Sequence, residues 1–115
     1  MCIRDRAVCK DRPCFHISLL IDVSPFCDCY GLNDAPVIPD VGMFASFDPV
    51  AIDQACADAA NREHAIADSF LGEKHPAPGA DHFHTMHPDT KWEAGIEQGE
   101  KIGLGSSDYE LVTIV

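Results

Sequence analysis

The chain has no run of about eighteen apolar residues, so no segment reads as a membrane-spanning helix. It has no C-x-x-C, G-x-S-x-G, P-loop or G-x-G-x-x-G, and so lacks the signatures of a ferredoxin segment, a hydrolase nucleophile, a phosphate cradle and a dinucleotide fold. Basic residues are scarce. Eight Lys and Arg stand against 19 Asp and Glu, for a formal net charge of −11. A surface that acidic repels phosphate backbones, and with no basic stripe a nucleic-acid partner is not expected. The first residues carry neither the apolar core nor the small-residue cleavage site of a secretory signal.

What is present is an ordinary globular composition, 46% apolar and 23% charged in 115 residues, enough for one small domain with a modest core. Met1-Cys2-Ile3-Arg4-Asp5-Arg6 resembles a translated sequencing-adapter leader. Residues 1–6 are therefore expected not to be native, and 7–115 to be the C-terminal fragment of one α/β domain. Beyond that leader lie Cys9, Cys14, Cys27, Cys29 and Cys56. An odd count without framework spacing favours reduced thiols and a cytoplasmic location over secreted disulfides.

Phe15-His16-Ile17-Ser18-Leu19-Leu20-Ile21-Asp22-Val23 alternates with a period of two, Phe15, Ile17, Leu19, Ile21 and Val23 on one face and a semi-polar second face expected to be only partly covered. Ser24-Pro25 ends this strand. Residues 25–39 are turn-rich, with Pro25, Gly31, Asn33, Asp34, Pro36 and Pro39, and a loop of that length is more often functional or anchored. Val41-Gly42-Met43-Phe44-Ala45-Ser46 reads as a buried second strand. Asp48-Pro49 opens a helix running to about residue 63, with Ala51, Ala55 and Ala59 at four-residue spacing on a face that can lie close to a sheet. Residues 64–87 read mostly as loop. Thr90-x-x-Glu93 fits a capping box for a second helix, which Gly103-Leu104-Gly105 stops, and 109–115 reads as a third strand. The fold class expected is α/β: a small incomplete sheet of at least three strands with two helices.

Several phrases together are similar to the C-terminal end of the uncharacterised iron-sulfur centre protein family, also called domain of unknown function 362. They are Phe15-His16-Ile17-Ser18-Leu19-Leu20, Val23-Ser24-Pro25-Phe26-Cys27-Asp28-Cys29-Tyr30-Gly31 and Asp34-Ala35-Pro36-Val37-Ile38-Pro39-Asp40-Val41-Gly42. Ala45-Ser46-Phe47-Asp48-Pro49-Val50-Ala51-Ile52-Asp53-Gln54-Ala55 and Lys101-Ile102-Gly103-Leu104-Gly105 continue them. The resemblance implies an α/β domain whose complete versions often carry ferredoxin-type cysteine runs binding [4Fe-4S] clusters. Such a cluster is thereby expected of the intact parent protein, its ligands mostly upstream of this chain. It implies no particular reaction.

The residues themselves offer one candidate centre. Cys27 and Cys29 in C-x-C spacing can ligate a soft or borderline metal, with Asp28 and Asp48 as weaker oxygen donors. If the first two strands are parallel, the loop after Val23 and the Ser46-Phe47-Asp48 turn share one rim at their C-terminal ends. The structural alternative makes Cys27 and Cys29 packing residues of an irregular loop and Asp48 a plain helix cap. Cys9 and Cys14 are set apart from Cys27 by the strand's length, and Cys56 reads as a core residue. His82-x-His84-x-x-His87 is a weaker metal pattern, and Asp34 with Asp40 a weak acid/base pair.

Function is therefore expected to be electron transfer or metal-dependent redox, with a redox partner. The alternatives are a metalloenzyme centred on Cys27 and Cys29, and a non-catalytic structural or interaction domain.

Overall fold

Asp48 caps the longest helix of the chain as its sequence requires: Oδ1 accepts the backbone N–H groups of Val50 and Ala51 at 2.8 and 3.0 Å, and Pro49 takes the first helical position. The computed structural model describes residues 2–9 and 12–114. Met1 of the expected leader and Val115 of the expected third strand thus lie outside the described residues. The elements in chain order are α1 (Cys2–Cys9), β1 (His16–Leu20), β2 (Gly42–Ser46), α2 (Pro49–Arg62), a 3-10 turn (Gly72–Lys74), α3 (His82–Met86) and α4 (Glu93–Lys101).

The fold is α/β but smaller in its sheet and richer in helices than expected. Among the described residues there is one sheet of two strands, β1 beside β2, with four α-helices. Phe15 meets Phe47 at one end, ring centroids 5.0 Å apart, while the Leu20 carbonyl accepts the Val41 N–H at 2.9 Å at the other. The strands therefore run antiparallel.

The third strand does not form at 109–114, where Leu111, Val112 and Ile114 are exposed, Ile114 to 93%. A β-branched run supplies an extended preference, but a strand also needs a neighbour to take its N–H and C=O groups, and among the described residues the sheet pairs only β1 with β2. Three further elements fall where the sequence was read mostly as loop, in 64–87, or was set aside as leader, in 1–6. Residues 64–87 contain the 3-10 turn and α3, and residues 2–9 form α1.

Alternation along β1 is real, but its two faces are exchanged. Phe15, Ile17, Leu19 and Ile21 are exposed, whereas His16, Ser18 and Leu20 are half-buried. The covered side of β1 includes the semi-polar positions: Ser18 hydrogen-bonds the Cys56 thiol of α2, and His16 acts on the Asp53 carboxylate of the same helix.

The chain divides into two compact units. The first comprises the described parts of 1–18, 43–57 and 92–115. In it Val50 of α2 packs against buried Gly99 of α4 so closely that any Cβ there would meet the valine methyl at 2.8 Å. Helix α4 ends in a Schellman motif, Leu104 N–H to the Gly99 carbonyl and Gly103 N–H to the Glu100 carbonyl, both at 2.9 Å, with Gly103 at φ +67°. Its start is simpler than a capping box. Thr90 donates to the His87 carbonyl, and Trp92 occupies the N-cap position without a side-chain cap.

The second unit comprises residues 19–42 and 58–91. Its core is Val37, Ile38, Ala60, Leu71 and Met86, with Leu20, Val23, Ala65, Phe70 and Phe83 against it. Val37 and Ile38 belong to the turn-rich stretch, so that loop is anchored by its own apolar pair. Val37 donates to the Val23 carbonyl at 2.8 Å and accepts from Ile66 at 2.9 Å.

Candidate functional site

The candidate centre lies in the second unit, on the segment that leaves β1. Asp22 turns the chain in a left-handed conformation, φ +48°, which Asp tolerates, and its N–H is taken by the Asp40 carboxylate at 2.9 Å. Ser24 Oγ then donates to the Phe26 carbonyl at 2.9 Å, and Pro25 is buried. Two successive turns follow, Tyr30 N–H to the Cys27 carbonyl at 2.8 Å and Asn33 N–H to the Tyr30 carbonyl at 3.2 Å.

Asn33 ties these turns together. Its Oδ1 accepts the Phe26 N–H at 3.2 Å, and its Nδ2 donates to Ser24 Oγ and to the Phe26 carbonyl, both at 3.0 Å, and to the Cys27 carbonyl at 3.3 Å. On the other side Phe26 is fixed by aromatic packing. Its ring lies 5.3 Å from Tyr30, 5.2 Å from Phe70 and 5.3 Å from His87, whose Nε2 donates to the Pro25 carbonyl at 2.6 Å.

This frame holds Cys27, Asp28 and Cys29 at the surface, all three exposed. The two sulfurs stand 2.8 Å apart, and Cys27 Sγ also lies 3.5 Å from Asp28 Oδ1. The hydrogen bond shared with Cys29 pushes the Cys27 thiol above its ordinary pKa; the Cys29 N–H works against that and Asp28 adds to it. Cys27 thus keeps its proton at neutral pH, and a metal has to displace it.

Two thiolates on one tetrahedral metal, at about 2.3 Å each, sit roughly 3.8 Å apart, so the pair opens by about 1 Å to share an ion. Within the second unit the described cysteines are Cys27 and Cys29, so that unit by itself supplies two thiolates and not the four of a [4Fe-4S] cluster.

The other sequence-derived candidates are occupied differently. Antiparallel strands remove the premise of a rim shared with Asp48, whose second carboxylate oxygen accepts the Ser106 N–H at 2.9 Å while the first caps α2. Asp34 accepts the N–H of its neighbour Ala35 at 2.7 Å and Asp40 that of Asp22, so each carboxylate holds backbone. The three histidines do not converge on one ion as placed: His82 Nε2 donates to the Glu63 carbonyl at 2.8 Å, His87 to Pro25, and the His84 main chain is held by the Asp81 cap. Cys56 is partly buried, which raises its thiol pKa, while the Ser18 hydroxyl lowers it. Cys9 and Cys14 hydrogen-bond each other.

Asn33 and Phe70 were not singled out as functional by sequence, and His87 was read only as part of the histidine pattern, not as a support of this loop. The one available signal was the turn composition around Asn33; the aromatic partners come from residues 44 and 61 positions beyond Phe26.

A family model described as Domain of unknown function (DUF362) matches residues 5–58. Over residues 5–58 the chain is similar to the DUF362 family. The DUF362 match takes in β1, the whole Cys27-Asp28-Cys29 loop, β2 and the first ten residues of α2. Its description names neither an activity nor a cofactor. No curated protein and no solved structure matches the chain. Among the described residues no helix is long and apolar enough to cross a membrane.

Proposed function

We propose that the chain is part of a metal-dependent redox protein of the iron-sulfur type, acting in electron transfer or metal-dependent redox, in which Cys27 and Cys29 supply two thiolates of a thiophilic metal centre. The observation that carries this reading is the pair of exposed sulfurs 2.8 Å apart on a loop fixed by Asn33 and Phe26. Softness of the donors favours zinc, iron or cobalt over calcium and magnesium. Asp28 offers an oxygen donor beside them, and the remaining positions fall to groups outside the loop. The [4Fe-4S] cluster and the redox partner in this reading come from the family resemblance alone, and neither is assigned to residues of this chain. An odd number of cysteines beyond the leader, without framework spacing, supports a reducing, cytoplasmic setting.

The full chain, reduced and kept free of oxygen, tests this by titration with Co²⁺. A thiolate-to-cobalt charge-transfer band is expected to saturate at one ion per chain and to vanish in the double variant Cys27→Ser, Cys29→Ser. A band of undiminished intensity in the double variant, or no band in the unmodified chain, leaves the loop a structural one.

A further inference from the structure

We propose that Cys27 and Cys29 close reversibly into a disulfide, a two-electron thiol switch that withdraws both sulfurs from the metal centre. This rests on the same two residues as the function proposed above and adds its regulation, but the switch itself needs no metal.

The geometry of this pair suits closure. Sulfurs 2.8 Å apart are closer than unbonded sulfurs rest, and need to approach by only about 0.8 Å to reach bonding distance. The frame of the loop does not have to be rebuilt for that. Asn33 grips the Phe26 and Cys27 carbonyls, the Tyr30 N–H grips Cys27 from the far side, and Phe26 is locked among Tyr30, Phe70 and His87. Both cysteines are exposed, so a small disulfide in solution reaches either sulfur. Cys56, by contrast, is half-buried and engaged with Ser18.

The chemistry balances with oxidised glutathione as the co-reactant. One cysteine thiolate attacks a glutathione sulfur, breaking the glutathione S–S bond and releasing one glutathione thiolate. The second cysteine then attacks the mixed disulfide at the first cysteine's sulfur and displaces the remaining glutathione. One S–S bond has formed in the protein and one has broken in glutathione. The two cysteine protons leave on the two glutathione thiols, the protein having lost two electrons that glutathione disulfide gained.

The full chain is equilibrated in glutathione buffers of rising oxidised fraction, quenched in acid, alkylated and mapped by mass spectrometry. The peptide bearing Cys27 and Cys29 is expected to lose two hydrogens and resist alkylation, and dithiothreitol to restore two alkylatable thiols. Cys29→Ser is expected to carry a single glutathione on Cys27 instead. The double variant Cys9→Ser, Cys14→Ser, which removes the other neighbouring pair, is expected to keep the loop disulfide. Two separate glutathione adducts on Cys27 and Cys29, or a pair still reduced where free glutathione is largely oxidised, overturns the switch. Cobalt binding separates this from the preceding reading. A disulfide that forms in a chain whose reduced state binds no Co²⁺ upholds the switch and removes the metal centre. Cobalt binding without a disulfide overturns the switch and leaves the metal centre standing.

Discussion

Asn33 organises the candidate centre more than either cysteine does. It joins Ser24, Phe26 and Cys27 through one part-buried amide, so its removal strands several backbone groups at once. Asn33→Ala is expected to cost about 1–3 kcal/mol in urea unfolding. The same variant is expected to weaken Co²⁺ binding about 10- to 100-fold by loosening the thiol pair, as losing a group that orients metal ligands does. Unchanged affinity would detach the Asn33 frame from the metal site. Asp53 illustrates a different residue-level effect. Partial burial raises its carboxyl pKa, with His16 pulling the other way, so the folded state holds the Asp53 proton more tightly than the unfolded chain does. Its charge therefore costs stability above the raised folded pKa, and that cost disappears as pH falls toward the ordinary carboxylate range. Asp53→Asn is expected to raise the melting temperature at about pH 7 and to lose that advantage by about pH 4.

At the scale of elements, α2 and the Gly103-Leu104-Gly105 stretch are held by one carboxylate. Asp48 caps Val50 and Ala51 with one oxygen and fixes Ser106 with the other, and a Cβ at Gly105 would collide with that carboxylate. Asp48→Ala is expected to lower stability by about 1–2 kcal/mol through the lost cap, with the urea m-value unchanged. Gly105→Ala is expected to destabilise by forcing the same contacts apart. Stability within error of the unmodified chain for both would refute the latch.

This part of the fold was legible because it is local. Asp48-Pro49 at the start of α2 and Gly103 after α4 act through neighbouring residues. The strand pairing was not legible in the same way. Alternation in β1 marks two faces without saying which one a helix will cover, and here the helix lies under His16 and Ser18 rather than under Phe15 and Ile17. Residues 109–114 show the same limit, since β-propensity cannot supply a partner. Helix α3 did carry a signal, Asp81 in the N-cap position accepting the His84 N–H at 2.8 Å, but five residues are too few for a periodicity to show.

For the molecule as a whole, the DUF362 match and the second unit divide the work unequally. The thiols and Asn33 lie inside 5–58, whereas Leu71 and Met86, which pack on Val37 and Ile38, and Phe70 and His87, which pack on Phe26, lie outside it. Family phrases in the sequence therefore pointed to the loop that carries Cys27 and Cys29 but not to Phe70 and His87, which pack against it. Those supports come from distant positions that meet only in the fold.

The most direct measurement is X-ray absorption at the zinc edge of the reduced full chain loaded with one equivalent of Zn²⁺. Two sulfur neighbours at about 2.3 Å are expected, falling to none in the Cys27→Ser, Cys29→Ser double variant. A zinc shell made only of nitrogen and oxygen at about 2.0–2.1 Å contradicts a metal centre at Cys27 and Cys29.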